Sequence, residues 1–280
     1  MRKRGVFNPD HPWVFFFLAL SQARGFAAHT TPIARSDWLR VAACALDPDY
    51  WRSAACVSRA YGWYLAAAAA AVSGAAAASA SGKVVLVGHS AGGWLGRALI
   101  GREPAVRASV AGLVSLGTPH APPSGARCPT GGALASICDA FPGAFFAGEG
   151  VAYVTVAGLA VRGDARAVRG SAARAAAAAY ATVSGAPSRG AGGHGVLGDG
   201  VVPAAAAGLA GAVNLALPGI FHSQARPGGR GRGGRAAAER LRRTGGGAQE
   251  VAPLPSRLPW YGSEGVVDAW LGAVVEQSNR

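Results

Sequence analysis

The hydrophobic pattern alternates between short apolar runs and longer segments of helical spacing. The short runs predict strands at 26–33, 83–87, 110–116, 151–157 and 212–217. The longer segments predict helices at 13–24, 61–80, 91–100 and 263–277. Such alternation is typical of βαβ units in a largely parallel sheet, and 280 residues suffice for one large α/β domain. A functional site is expected in the loops at the carboxyl ends of these strands.

The stretch from Lys83 to Leu99 is the most informative. Its apolar run Val84–Val87 predicts a strand buried on both faces, and Gly88-His89-Ser90-Ala91-Gly92 follows directly. G-x-S-x-G between a strand and a helix is the nucleophile elbow of α/β-hydrolases, whereas the alternative is an ordinary glycine-rich turn. In so tight a turn, side chains at positions 88 and 92 are expected to collide. Ser90 is therefore the predicted nucleophile, beside a helix N-terminus that stabilises developing negative charge.

A serine nucleophile needs a base, and the base needs a carboxylate that orients it. Three aspartates lie between Ser90 and the last histidine of the chain: Asp139, Asp164 and Asp199. Asp199 is the predicted acid because Gly198 and Gly200 permit a tight loop and Val201-Val202-Pro203 anchors it. The alternative for Asp199 is an ordinary Asx turn.

His222 is the predicted base because it follows the strand 212–217 and is the last histidine of the chain. The alternative is a surface loop histidine. Among the other histidines, His89 is expected to point away from the nucleophile, and both His89 and His120 are candidate pocket residues. His194 precedes Asp199 and so breaks the order serine, acid, histidine that α/β-hydrolases use.

Five motifs occur in an order that resembles a known family. They are Gly88–Trp94, Leu116–His120, Gly198–Pro203, Phe221–Ser223 and Trp260–Ser263. Together they resemble the lipase-like α/β-hydrolases of plants, algae and cyanobacteria, which are grouped with the GPI inositol-deacylase (PGAP1-like) domain. The resemblance covers roughly Phe16 to Trp270, apart from an arginine-rich stretch.

The resemblance implies Ser90 as nucleophile, Asp199 as acid and His222 as base, with the Ala91 N–H as one oxyanion donor. It also implies an early strand followed by a glycine-containing loop that supplies a second donor. Met1–Pro12 contains neither, and losing one oxyanion donor typically costs about 10²–10³ in rate. We therefore expect an α/β-hydrolase fold, a mostly parallel sheet with helices on both faces, whose first strand is missing through truncation or a wrong first exon.

The chain divides into four segments by composition and pattern. They are an atypical N-terminal segment (1–12), the hydrolase domain (13–224), an Arg/Gly-rich low-complexity insertion (225–257) and the C-terminal helix of the hydrolase domain (258–280). The apolar run within 13–24 predicts a core helix; a short signal peptide is the alternative.

Residues 118–150 interrupt the strand–helix alternation and are a candidate lid. Two interpretations are equally open for the aromatic residues of this segment, Phe141, Phe145 and Phe146. They bind an apolar acyl group of the substrate, or they pack in the hydrophobic core.

The formal charge is +13, and Arg226–Arg243 alone holds seven arginines against one glutamate. Such an arm could bind RNA or anionic lipid, but it has no interleaved aromatic residue, which favours a solvated insertion. Nucleic acid is therefore not an expected partner, while an ester or acyl-lipid substrate and peripheral membrane contact are. No transmembrane helix is predicted. The compartment is left open, with a plastid or another organelle among the options, and so is the oligomeric state.

No cofactor or metal is expected, because the four cysteines and six histidines show no ligand spacing. Two states of the cysteines are equally open. Cys128 and Cys138 form a disulfide, or all four cysteines, including Cys44 and Cys56, are free thiols.

Three functional hypotheses follow. The first is a serine esterase acting on acyl lipids, and the second is a GPI-type inositol deacylase with the same triad. The third is a catalytically impaired hydrolase fold that binds through the basic arm.

Overall fold

A four-stranded parallel sheet forms the centre of the computed structural model, which describes residues 25–123, 129–184, 195–224 and 258–278. The strands are β1 (Val84–His89), β2 (Val110–Leu116), β3 (Ala152–Leu159), β4 (Val161–Gly163), β5 (Val196–Gly198) and β6 (Val213–Pro218). Strands β1, β2, β3 and β6 are neighbours in that order, and all their pairings are parallel. Strands β4 and β5 form a separate antiparallel pair.

Helices cover both faces of this sheet. The α-helices are α1 (Pro48–Trp51), α2 (Val57–Ala78), α3 (Ala91–Arg102), α4 (Pro104–Ala108), α5 (Ala133–Ala140), α6 (Ala172–Ser184), α7 (Ala204–Ala207) and α8 (Val266–Ser278), and 3₁₀ helices occupy Arg35–Leu46 and Ala147–Glu149. One core joins α2, α3 and α5 to Leu113 and Tyr153. The opposite face buries Val114 and Val154 against α8. The α/β-hydrolase architecture predicted from the sequence is confirmed.

The strands β2, β3 and β6 lie within two residues of their predicted positions, and β2 and β3 are buried on both faces. For β1 the prediction of two buried faces is wrong. Val85 and Val87 are 39% and 40% exposed, because no described segment covers that face of the strand. In the described part of the chain, β1 is an edge strand that pairs with β2 alone.

The predicted strand at 26–33 is also wrong, since the backbone there has no ladder partner among the described residues. Phe26 is 44% exposed, so the segment buries no apolar face that could hold it in a sheet. Pro32 has no N–H to donate, and the N–H of Ile33 bonds locally to the Thr31 carbonyl oxygen at 2.9 Å. An apolar run without a neighbouring strand does not form a strand.

The candidate lid contains the phenylalanine cluster, of which Phe146 and Phe141 pack in the core while Phe145 is 51% exposed. Phe146 is 5% exposed and lies under the Arg107 guanidinium, 4.3 Å from its ring centroid. Phe141 fills the space beside Gly101, where a Cβ would overlap its ring. Gly101 lies near the C-terminal end of α3, roughly 16 Å from Ser90 along the helix axis. The core alternative therefore holds for Phe141 and Phe146 but not for Phe145, while the lid assignment of 118–150 stays a prediction.

Several expectations lie outside the described residues. They concern the N-terminal segment 1–12, the helix 13–24, Cys128, His194 and the insertion 225–257. Within the described ranges, no helix is both long and apolar enough to cross a membrane.

Candidate active site

Ser90 occupies a strained turn between β1 and α3. Its φ of 55° and ψ of −123° lie in a region of backbone conformation that residues other than glycine rarely adopt. The Ser90 N–H donates to the Leu116 carbonyl oxygen at 2.9 Å. The Ser90 carbonyl oxygen accepts from the Thr118 hydroxyl at 2.8 Å and from the Gly93 N–H at 3.2 Å. Contacts from the end of β2 and from the first turn of α3 thus hold the turn in this conformation.

The glycines around Ser90 differ in how much room the structure leaves for a Cβ at each position. A Cβ on Gly88 would overlap the backbone of Gly92, so the prediction for position 88 is confirmed. For Gly92 the prediction of a collision is wrong, because a Cβ there would lie 3.7 Å from the Tyr64 hydroxyl oxygen, an ordinary contact. Gly93 matters more, since a Cβ there would overlap the Thr118 side chain and lie 2.7 Å from the Ser115 Cβ.

Asp199 is 1% exposed and stands just beyond β5. Its Oδ1 accepts from the backbone N–H groups of Val201 at 2.9 Å and Val202 at 2.7 Å. Its Oδ2 accepts from the Tyr261 hydroxyl at 2.7 Å and from His222 Nδ1 at 2.8 Å. The Asx turn considered as the alternative is therefore present, and it leaves the second oxygen to receive His222.

These contacts also fix the charge of Asp199. Burial alone raises the pKa of this carboxyl, but the hydrogen bonds from His222, the Val202 N–H and Tyr261 bring it below its ordinary value of 3.8. Asp199 is therefore a buried, ionised carboxylate at neutral pH.

His222 lies in the loop after β6 and makes two hydrogen bonds to Asp199. The imidazole Nδ1 contacts Oδ2, and the His222 backbone N–H donates to the Asp199 carbonyl oxygen at 2.9 Å. An ionised carboxylate only accepts, so Nδ1 carries the proton and the neutral ring keeps a lone pair on Nε2. The side chain remains 13% exposed. His222 is thus oriented as a proton acceptor whose ring reaches the surface of the site.

His89, the residue before Ser90, packs against this histidine. The two ring centroids are 4.6 Å apart, and His89 Nε2 donates to the His222 carbonyl oxygen at 3.0 Å. Loss of water around the ring and the neighbouring His222 lower the pKa of His89, although the residue keeps an exposed edge. His89 therefore connects the nucleophile strand to the loop of the predicted base.

Sequence reasoning missed the part played by Tyr261, although it stood in one of the quoted motifs. This fully buried tyrosine donates to Asp199 Oδ2 and accepts from the Gly158 N–H at 2.9 Å. Burial and the adjacent Asp199 raise the pKa of Tyr261, so it remains a proton donor. Gly117 and Gly158 leave room for this arrangement, since Cβ atoms there would lie 2.7 Å from Asp199 Oδ2 and 2.9 Å from the Asp199 Cβ.

His120, predicted as a pocket residue, is only 4% exposed. Its Nδ1 lies 3.5 Å from the Arg97 guanidinium and its Nε2 lies 2.8 Å from Ser115 Oγ. Burial, with a smaller contribution from Arg97, lowers the pKa of His120 to about 3, so the ring is neutral. Because Arg97 only donates, Nδ1 accepts and Nε2 donates to Ser115. In the pair of Ser115 and His120, the histidine therefore donates to the serine and cannot act as a base toward its hydroxyl.

The remaining candidates have the following positions. Asp139 is exposed, and Asp164 Oδ1 accepts from the Arg166 N–H at 2.8 Å in a surface turn. Ala91 is the first residue of α3, so its N–H has no acceptor within the helix and is available to an anion. In the described ranges, no group of three His, Cys, Asp or Glu residues could hold a metal ion.

The structure thus brings Asp199, His222 and Tyr261 together and places the Ser90 turn beside them through His89. Residues 56–134 match the family model of the PGAP1-like alpha/beta domain, a stretch that includes the Ser90 turn but neither Asp199 nor His222. No curated protein and no solved structure matches the chain. The restriction to plant, algal and cyanobacterial relatives stays a prediction. The family match, which covers less than half of the chain, and the parallel sheet together support the α/β-hydrolase fold.

Proposed function

We propose that the protein is a serine hydrolase that cleaves carboxylic esters, with acyl lipids as the substrate class. One observation carries the proposal: the hydrogen-bonded pair of Asp199 and His222, whose proton arrangement leaves the Nε2 lone pair available. The strained Ser90 turn supplies the matching nucleophile on the neighbouring loop.

In the proposed reaction, Ser90 Oγ attacks the ester carbonyl carbon while His222 Nε2 takes the hydroxyl proton. Asp199 stabilises the imidazolium that forms, and the Ala91 N–H donates to the oxyanion. The tetrahedral intermediate then collapses, and the alcohol leaves with the proton from His222. Water, deprotonated by the same Nε2, attacks the acyl-enzyme and releases the acid, which restores Ser90.

An aromatic cluster beside α3 supports an apolar acyl group. Tyr64 lies next to Gly92 in the first turn of α3, and the Trp38 and Trp63 rings lie 5.8 Å and 5.9 Å from it. Trp38 remains 38% exposed. Aromatic surface near a nucleophile favours binding of an acyl chain over a polar group.

Labelling with a fluorophosphonate probe tests the proposal, because such probes react with serines activated by a base. We expect wild-type protein to be labelled and to hydrolyse p-nitrophenyl esters, and Ser90→Ala to do neither. Ser81→Ala is the matched control, since this exposed serine lies at the opposite end of β1 and, among the described residues, its hydroxyl bonds to Ser79 and to the Lys83 N–H. Labelling that persists in Ser90→Ala, or none in folded wild-type protein, would sink the proposal and favour the catalytically impaired alternative.

The match to the PGAP1-like model favours a second candidate, a deacylase acting on an acylated inositol of a GPI lipid. Both candidates use the same triad, so only the substrate separates them. Turnover of purified inositol-acylated GPI lipid well above that of simple acyl esters, lost in Ser90→Ala, supports the deacylase. The reverse ratio supports the general esterase.

A further inference from the structure

Tyr64 places a phenol hydroxyl beside the first turn of the helix that follows Ser90. Outside α3 itself, this hydroxyl oxygen is the one described atom within 4 Å of a Cβ built on Gly92, at 3.7 Å. Gly92 comes two residues after the nucleophile and directly after Ala91, whose N–H is the proposed oxyanion donor. The hydroxyl therefore lies at the end of α3 where negative charge is expected to develop.

The Tyr64 hydroxyl has no hydrogen-bond partner among the described residues, even though the ring is half-buried. The ring itself is held by Trp38 and Trp63 and packs on the core beneath α2. The hydroxyl is thus held in position with its proton uncommitted to any described residue, and a ligand oxygen can accept a hydrogen bond from it. Burial raises the pKa of Tyr64, so it retains that proton at neutral pH.

An oxyanion site commonly holds the developing charge with two or more donors, and tyrosine hydroxyls are among the groups that serve. The proposed reaction so far uses the Ala91 N–H as one donor. A second donor must approach the same oxygen from outside α3, and Tyr64, which belongs to α2, brings its hydroxyl to the first turn of α3.

We propose that Tyr64 is a catalytic residue whose hydroxyl donates a hydrogen bond to the oxyanion alongside the Ala91 N–H. This inference rests on the proposed function. As the bond from Ser90 Oγ to the carbonyl carbon forms, the carbonyl π electrons move to oxygen, and His222 Nε2 takes the serine proton. Tyr64 keeps its own proton throughout; its hydrogen bond shortens as the charge develops.

Tyr64→Phe tests the proposal, because phenylalanine keeps the ring contacts and removes only the hydroxyl. We expect kcat for a p-nitrophenyl ester to fall about 10²–10³-fold with KM little changed, which is the loss typical of one oxyanion donor. Inhibition by an alkyl trifluoromethyl ketone, which forms a tetrahedral adduct with serine, should weaken in proportion. Tyr50→Phe is the control, since that hydroxyl bonds to the Pro129 carbonyl oxygen at 3.0 Å.

The outcomes separate this proposal from the proposed function. Ser90-dependent turnover with unchanged kcat and ketone affinity in Tyr64→Phe overturns the role of Tyr64 and leaves the esterase standing. A matched fall in kcat, ketone affinity and binding of a non-reactive ester analogue makes Tyr64 a packing residue and also overturns it. Absence of Ser90-dependent turnover in wild-type protein overturns both. A selective loss of kcat and ketone affinity supports the hydroxyl as donor.

Discussion

The two sides of the candidate site are built in different ways. The nucleophile side comes from one continuous stretch, β1, the Ser90 turn and α3, and its geometry is set by backbone contacts and by glycines that leave no room for a Cβ. The acid–base side comes from three separated segments, 198–203, 221–223 and 260–263, joined by side-chain hydrogen bonds. The first side should therefore fail by steric collision and the second by loss of a bond.

The acid–base side also depends on how the C-terminal helix docks. Trp270 of α8 is 1% exposed, and its indole N–H donates to the Tyr261 carbonyl oxygen at 3.1 Å. Tyr261 in turn donates to Asp199. Packing of α8 on the sheet is thus transmitted to the carboxylate through one buried tyrosine, whereas the Ser90 turn is held directly by the end of β2 and the first turn of α3.

Gly88→Ala should have the largest effect, because its Cβ would overlap the Gly92 backbone, which is fixed by α3. We expect the free energy of unfolding to fall by about 3 kcal/mol or more, measured by urea titration. Gly92→Ala is the matched control; its Cβ makes an ordinary contact, so stability should change by less than about 1 kcal/mol. Equal losses in the two variants would contradict the steric account of the nucleophile side.

Asp199→Asn should nearly abolish turnover while the fold persists. The Asn oxygen can still accept from Val201 and Val202, but its amide then points N–H groups at His222 Nδ1. The ring is forced to carry its proton on Nε2, where it cannot act as a base, and kcat/KM should fall about 10⁴-fold. The measurement is ester hydrolysis with circular dichroism as the folding check. Turnover within tenfold of wild type would show that Asp199 does not orient the base.

The difference between the sides also explains what the sequence could predict. The elbow, with Ser90 and Gly88, is encoded in consecutive residues, and so is the strand that leads to His222, whereas the three-residue strand β5 before Asp199 was not predicted. The contact between Asp199 and Tyr261 could not be predicted, because Tyr261 is 62 positions away along the chain and only the folded structure brings the two together. A motif indicates which residues matter, but not which of them touch.

The errors have the same origin. Val84–Val87 and 26–33 have suitable composition for buried strands, but burial depends on what lies against them, and no described segment covers Val85 or Val87. Gly92 has the spacing of a required glycine, yet only three-dimensional packing reveals that Gly93 has less room. Local pattern predicts the element; the neighbours decide its exposure.

Tyr261→Phe should have an intermediate effect that depends on pH. It removes the donor to Asp199 and the acceptor of the Gly158 N–H, which costs about 1–3 kcal/mol of stability at neutral pH. In the wild type, the folded-state pKa of Asp199 is lowered, so its contribution is complete above 3.8 and is lost as pH falls below that value. Without Tyr261 that pKa rises towards 3.8, so the variant has less stability to lose as the pH falls, and its loss ends at a higher pH than in the wild type.

Urea titrations of wild type and Tyr261→Phe between about pH 3 and pH 7 check both parts of this expectation. The difference between the two proteins should be largest at neutral pH and shrink as Asp199 protonates in each. Tyr50→Phe, which removes a surface hydroxyl bond, should run parallel to the wild type. A constant difference across the range would mean that Tyr261 acts through packing and not through the charge of Asp199.

Thr118→Val should have the smallest effect, and it bears most directly on the contrast between the two sides. The Thr118 hydroxyl donates to the Ser90 carbonyl oxygen, which also accepts from the Gly93 N–H, so one bond to the turn survives. Valine keeps the branched shape, and we expect a loss of about 0.5–1.5 kcal/mol and a few-fold lower kcat. If backbone sterics hold Ser90 in place, this loss stays below that of Tyr261→Phe. A loss as large as that of Gly88→Ala would show instead that a side-chain hydrogen bond holds the nucleophile turn, and the two sides would then be built alike.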